Sequence, residues 1–263
     1  MTGEFRLDDR GVVRVAGAEA AHFLHNLVTN DVEGLEIGQL RFAALLTPQG
    51  KILFDFLIHR RGAEEFLLDA AADKTADLAK RLSLYRLRAK IEISDESARL
   101  AVVAAPAGEP ADPRAPLGAR RIAMRAEAPA PSGEALAEHE ARFVALGVPQ
   151  GGRDFAYGDV FPHDVNMDLI NGVDFRKGCY VGQEVVSRMR HRAEIRRRVV
   201  RVAALAEPLE TGATVRDGEL AVGTVGTVAG GEALALLRVD RAEDAERAGR
   251  ALTAGGRRLR QID

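Results

Sequence analysis

The chain contains one cysteine, Cys179, in the run Arg176-Lys177-Gly178-Cys179-Tyr180-Val181-Gly182-Gln183-Glu184. Two cations precede the thiol, glycines flank it at 178 and 182, and a helix is expected to begin near Gln183. Nearby cations and a helix N-terminus both stabilise thiolate against its ordinary pKa of about 8.5. Glycines let a backbone approach closely or take positive φ. A lone cysteine is more often a small inert core residue. The charges and glycines beside this one favour a working thiol, with Cys179 and Lys177 as its chemical core.

Two carboxylates stand out next. Phe161-Pro162-His163-Asp164-Val165-Asn166-Met167-Asp168 sets Asp164 among aromatic and apolar neighbours. A carboxylate there can accept a pair of N–H groups from a pterin or guanine edge; the plainer reading is a capped turn. Asp55 stands alone among Ile52, Leu53, Phe54, Phe56 and Leu57. Strand alternation gives it the face of Leu53 and Leu57, which points to burial with a partner. A basic run follows: Arg188, Arg190, His191, Arg192, Arg196, Arg197, Arg198 and Arg201. It suits a polyanionic tail or a solvated helix face with Glu184–Arg188 and Glu194–Arg198 pairs.

The elements that would position these residues come from periodicity. A short strand is expected over Val12–Val15 and a helix over Ala18–Val28. Arg41–Leu46 and Ile52–His59 read as a hairpin closed by Thr47-Pro48-Gln49-Gly50. Glu65–Leu68 is a strand, and Asp73 is expected to cap a helix over Lys74–Leu84. Ala89–Ser94, Leu100–Ala104 and Arg121–Arg125 are further strands. The Pro-rich stretch 106–117 is a lobe boundary. Glu134–Leu146 is a helix closed by Gly147, and 151–174 is irregular. After Arg196 the strands Val199–Ala203, Thr214–Val215, Leu220–Val222, Thr224–Val228, Ala233–Val239 and Arg258–Ile262 suggest a small barrel or sandwich.

Length and composition bound the reading. The 263 residues, 46% hydrophobic and 29% charged, suit two or three packed lobes. A net charge of -2 supplies no global field for nucleic acid or acidic membrane. One cysteine permits neither an internal disulfide nor a self-contained iron–sulfur cluster. No apolar run approaches the roughly 20 residues that span a bilayer. With an acidic N-terminus, the expected location is cytoplasmic. Walker A, G-x-G-x-x-G, HExxH and CxxC motifs are absent, and no metal site is expected.

Taken together these residues resemble the YgfZ branch of the folate-binding aminomethyltransferase (glycine cleavage T-protein) superfamily. Lys177-Gly178-Cys179-Tyr180-Val181-Gly182-Gln183-Glu184 matches that branch's K-G-C-Y-x-G-Q-E signature. Agreement extends to Phe23–Asp31, Leu45–Ile52, Tyr85–Lys90 and Phe161–Val173, within about the first 195 residues. The resemblance implies an α+β fold: a GcvT-like folate-binding body of two intertwined α+β lobes over 1–195, then a small antiparallel β-barrel over 196–263. It implies a tetrahydrofolate-binding accessory protein for assembly or maintenance of iron–sulfur proteins. Cys179 would act on a cluster, a sulfur species or a one-carbon adduct, and tRNA thiomodification would be affected indirectly. Asp164 falls where family members usually carry a pterin-binding Glu, and Asp55 near the acidic position that true aminomethyltransferases use beside the folate, which makes it a catalytic candidate with Cys179 and Lys177. Asn30, Tyr180, Gln183, Glu184 and Arg188 complete the candidate folate contacts. The alternative is a folate-dependent aminomethyl transferase, so whether a reaction is catalysed stays open. Iron–sulfur proteins or their assembly machinery are the expected partners of a monomer, and direct tRNA binding is expected to be weak.

Overall fold

The computed structural model describes residues 3–192, 195–205 and 208–262, with only the backbone of Arg192. Strands β1 (Phe5–Leu7) and β2 (Arg10–Ala16) open the chain, and helix α1 (Ala20–His25) follows. The expected hairpin forms from β3 (Leu40–Leu46) and β4 (Ile52–Arg60), and β5 (Glu65–Ala71) pairs beside β4. Helix α2 (Thr75–Arg86) then leads to β6 (Glu92–Asp95). These strands make an antiparallel five-stranded sheet in the order β3-β4-β5-β2-β6. Phe54, Phe56, Ile58, Phe66 and Leu68 point from one face into a core shared with Leu24 of α1 and Leu78 and Leu82 of α2.

The second lobe is built on β7 (Leu100–Ala105), β8 (Ala119–Met124) and α3 (Gly133–Ala145). Its third strand is β1, which pairs with β7 through Phe5↔Ala104. The chain therefore starts in one lobe's sheet and crosses at once to the other, which intertwines them. Phe42, Ala44, Leu46 and Leu57, from the sheet face opposite α1, pack on Phe143 and Val144 of α3 and on Phe155, Val160 and Tyr180.

Helix α4 (Gln183–Arg192) precedes β9 (Arg197–Ala204), β10 (Thr214–Asp217), β11 (Leu220–Ala229) and β12 (Glu232–Arg238). Helix α5 (Val239–Arg247), β13 (Thr253–Ala254) and β14 (Arg257–Ile262) end the chain. The six strands close into a barrel in the order β10-β11-β12-β9-β14-β13. Two expected pieces, Leu220–Val222 and Thr224–Val228, are one strand, because Gly223 lets the backbone of Leu236 and Leu237 approach; a Cβ there would lie 2.4 Å from the Leu236 carbonyl oxygen. Asp73 does not cap α2; it pairs with Lys74, at 2.9 Å, and no side chain caps the helix. Ser132 caps α3 instead, accepting from the Ala135 amide. Among the described residues no helix is long and apolar enough to cross a membrane.

A buried polar seam joins the lobes. Asp69 of β5, fully buried, accepts from Arg10 Nε at 2.6 Å and from Arg120 Nε of β8 at 2.8 Å. His59 and His139 lie in the same seam; burial above all holds them neutral, at about 4 and about 3. Both values lie below the ordinary 6.5, so the unfolded chain binds these protons first as pH falls. Their contribution to stability is therefore complete above about pH 6.5 and is lost as pH drops toward 4. Urea midpoints should decline continuously as pH falls below 6.5. A flat series down to pH 4 contradicts this account.

Candidate functional site

The loop that carries the thiol is tied to the first lobe by the segment after α1. Thr29 Oγ1 donates to the Gly172 carbonyl at 2.6 Å and accepts the Ala44 amide at 2.9 Å. Asn30 Nδ2 donates to the carbonyls of Phe42 and Asn171, and its Oδ1 accepts the Asp31 amide. All the hydrogen-bonding atoms of the Asn30 side chain are thus used to hold chain to chain. Lys177 is buried. Its ammonium donates to the carbonyls of His25, Val28 and Asn30, the last two at 2.7 and 3.1 Å. Burial pushes Lys177 down to about 8, while Asp31 and Asp174 oppose the shift. With three donors on three carbonyls, Lys177 clamps the loop rather than facing the thiol.

Between the buried side chains of Lys177 and Tyr180, Cys179 is exposed. Burial raises the Tyr180 phenol above its usual range, and the Lys177 ammonium sits 5.0 Å from its ring centroid. The next turn is fixed by two glycines facing each other. Gly182, at φ 82°, lies so close to the β3–β4 turn that a Cβ would fall 2.6 Å from the Thr47 carbonyl oxygen and 3.1 Å from the Gly50 Cα. Gly50, at φ 81°, meets Val185 of α4 in return. The Thr47–Gly50 turn and the Gly182-Gln183-Glu184 segment, more than 130 residues apart in sequence, are therefore one packed unit. Gln183 and the exposed Glu184 begin α4, four residues beyond the thiol.

Asp164 lies in a 3-10 turn over Pro162–Val165 and is buried. Its Oδ2 takes the Phe161 amide at 3.0 Å and Arg197 Nη2 at 2.9 Å. Among the described residues Oδ1 has no protein donor, so one oxygen is left toward the expected pair of N–H groups from a pterin or guanine edge. Asp55, also buried, accepts the Tyr157 hydroxyl on Oδ1 at 2.6 Å. Burial, with Asp55 beside it, lifts the Tyr157 phenol far above its usual range. The second oxygen of Asp55 has no protein donor among the described residues. Each carboxylate thus keeps one acceptor oxygen, to which a single pterin N–H group would fit.

The arginine run divides. Arg197 pairs with Asp164 and Asp159, Arg198 forms a two-point pair with Asp168 at 2.7 and 2.8 Å, and Arg201 pairs with Glu232. Arg188 is exposed and makes no ion pair with Glu184. Arg190 stacks over the Phe175 ring at 4.0 Å. The Glu194–Arg198 pair and any tail contact by the Arg192 side chain lie outside the described residues. His163 escaped the sequence reading although it sits beside Asp164. It is buried with both ring nitrogens unpartnered, and it lines a cavity of about 260 Å³ with Asp168, Phe175, Arg190 and Ile195. Among the described residues no three His, Cys, Asp or Glu side chains are grouped to hold a metal ion.

Comparison with known proteins gives this geometry its context. Residues 5–108 match the GCVT N-terminal domain family, and residues 196–262 match the CAF17 C-terminal beta-barrel domain family. The mitochondrial iron-sulfur cluster assembly factor IBA57 of Homo sapiens is 34% identical over 253 residues, 80% of this chain and 70% of that protein. The IBA57 homolog of Mycosarcoma maydis is 34% identical over 223 residues, 74% of this chain and 55% of its own. Thus the chain spans little more than half the length of the fungal relatives. The crystal structure of the glycine cleavage system aminomethyltransferase T from Bartonella henselae superposes with a TM-score of 0.72 over 99% of this chain and 84% of that one. At 18% identity this likeness concerns the fold alone, a GcvT-like body with a closed terminal barrel. The relatives are named as mitochondrial proteins, which overturns the expectation of a cytoplasmic one. A single cysteine and the lack of a long apolar run are common to every reducing compartment, so they carry no weight between these locations.

Proposed function

The chain belongs to the family of the IBA57 iron-sulfur cluster assembly factors, and from that membership we propose that it assists assembly or maintenance of iron–sulfur proteins through Cys179. The observation that carries this reading is the exposed thiol on a loop clamped from both sides by buried Lys177 and Tyr180. A fixed, accessible thiol is a ligand or nucleophile held at the surface for another molecule. It stands without the further cysteines that would enclose a cluster. A cluster met here is therefore cargo, with its other ligands supplied by a partner from the assembly machinery. Changes in tRNA thiomodification would follow indirectly, through an iron–sulfur enzyme. The test is a deletion strain complemented with this chain and its variants, read by the activity of iron–sulfur enzymes and, separately, of glycine cleavage. Restoration of glycine cleavage alone would favour aminomethyl transfer instead.

Tetrahydrofolate is the ligand we assign to the body, supported by the GcvT-like fold and by the single free oxygens of Asp164 and Asp55. When bound, the folate would supply a one-carbon carrier. The chain's own part is to accept pterin N–H groups on these carboxylates and to hold Asp164 in place through Arg197. Asp164→Asn removes a charged acceptor, a loss of roughly 1.5–3 kcal/mol and at least about tenfold in affinity. Asp164→Glu should retain binding. Calorimetry with tetrahydrofolate reads both variants, and unchanged affinity in Asp164→Asn removes the residue from the site.

A further inference from the structure

The stretch from Lys80 to Ile91 holds five cations and no acid. Lys80, Arg81, Arg86, Arg88 and Lys90 are all exposed, and none forms an ion pair among the described residues. Two leucines stand among them in water: Leu84 is 65% exposed and Leu87 86%. Leu78 and Leu82 already supply the buried face of α2, so Leu84 belongs to its outer side, and Leu87 follows the helix at its C-cap. Leu87 is also held at φ 47° and ψ -105°, a region that costs any non-glycine residue free energy. Cations near a helix C-terminus complement its dipole, which accounts for Arg86 and Arg88. It accounts neither for Lys80 and Arg81 nor for a strained leucine placed in solvent. Strain of this kind persists where the displayed side chain is used.

The position of the patch gives that use a direction. Lys90 donates its amide to Glu19 Oε2 at 2.6 Å, and Gly17 lies against the Lys90 carbonyl. The patch therefore abuts the start of α1. The other end of α1, at the His25 carbonyl, holds the Lys177 ammonium two residues from the thiol. Six helical residues span about 9 Å, so patch and thiol loop flank one short helix. Of the acids nearby, Glu19 accepts the Lys90 amide and Glu92 pairs with Arg14 at 3.5 Å, while Asp77 precedes Lys80 by three residues on α2 and Glu64 lines a cavity with Arg86 and Lys90.

We propose that the Lys80–Ile91 surface docks an acidic protein segment bearing exposed apolar side chains, and that a partner seated there extends along α1 to Cys179. Its reach to the thiol rests on the function assigned to Cys179 above. Carboxylates on the partner meet five cations that have no ion pair among the described residues, Arg86 donating only to the Ile91 carbonyl, and its apolar groups cover Leu84 and Leu87. A nucleic acid would satisfy the cations but has no exposed aromatic platform here, since Tyr85 is half-buried.

Three synthetic helical peptides test this: one of Glu and Leu, its Lys/Leu counterpart, and its Glu/Ser counterpart. Each is titrated by anisotropy into the full chain. The Glu/Leu peptide should bind at least tenfold more tightly than either counterpart, and salt should weaken it. Leu87→Gly suits the positive φ, so its thermal midpoint should not fall, while its affinity for the Glu/Leu peptide should drop at least tenfold. A dye on Cys179, the only thiol, should respond when that peptide binds. Cys179→Ala should bind it normally, which separates failure of docking from failure of the thiol's function. Equal binding of the three peptides, no binding, unchanged binding by Leu87→Gly, a silent dye, or displacement of the peptide by tRNA would each overturn the proposal.

Discussion

Cys179→Ala should fold and melt like the parent chain and yet leave iron–sulfur enzyme activity at the level of the deletion strain. The thiol is exposed and fills no core, and surface substitutions of this kind usually change stability by less than about 0.5 kcal/mol. Its neighbours Lys177 and Tyr180 are held by contacts that do not involve the sulfur. Loop geometry therefore survives, and what disappears is the only thiol in the chain, its best soft ligand and nucleophile. Cys179→Ser should fail equally if the sulfur itself is needed, because a hydroxyl is a poor substitute in both roles. Thermal melts and complementation together decide the matter. Full complementation by Cys179→Ala, with a normal melt, removes the thiol from the function.

Asp69→Asn should be among the most destabilising single changes in the molecule, by about 3–5 kcal/mol. Arg10 and Arg120 both direct their guanidinium groups at the Asp69 carboxylate, and all three residues are buried or nearly so. Burial raises the Asp69 carboxyl, but the two arginines outweigh it and hold the group ionised well below the usual carboxylate range. An amide removes the carboxylate that both buried cations contact directly. The unpaired guanidinium groups then carry the desolvation cost without compensation. At roughly 2–4 °C per kcal/mol for a chain of this size, the melting midpoint should fall by about 10 °C. Arg120→Met should cost less, since Arg10 remains on Asp69. Denaturant melts of the two variants check the order; a loss under about 1 kcal/mol for Asp69→Asn would mean the seam is not a structural junction.

What the sequence disclosed depended on how locally each feature was encoded. The β3–β4 hairpin was readable because Pro48 and Gly50 mark its turn and both strands are apolar. Helix α3 was readable from its apolar spacing and from Gly147, which takes φ 66° just past its end. Helix α5 was not, because its buried face consists only of Ala242 and Ala245, too small to leave a pattern. Strand β11 reads in sequence as two pieces because of Gly223, whose role is to admit a neighbouring backbone. In the site the residue types were visible but their partners were not. Nothing near Lys177 in sequence says that its ammonium will end on carbonyls some 150 residues away. The same holds for Asp164, whose Arg197 partner lies in the barrel's first strand, and for Asp55, whose hydroxyl partner comes from the irregular segment. Long-range pairing of single polar groups leaves no periodic trace.

The clamp at Lys177 also orders events in time. Its three carbonyl partners are made first on the ribosome, about 150 residues before the lysine emerges. Contacts of such separation form only after the intervening chain has collapsed. Until then the thiol hangs on a glycine-flanked tether with no fixed direction. A nascent or half-folded chain thus displays a cysteine but not the site, and commitment to a partner waits for the lobes to close.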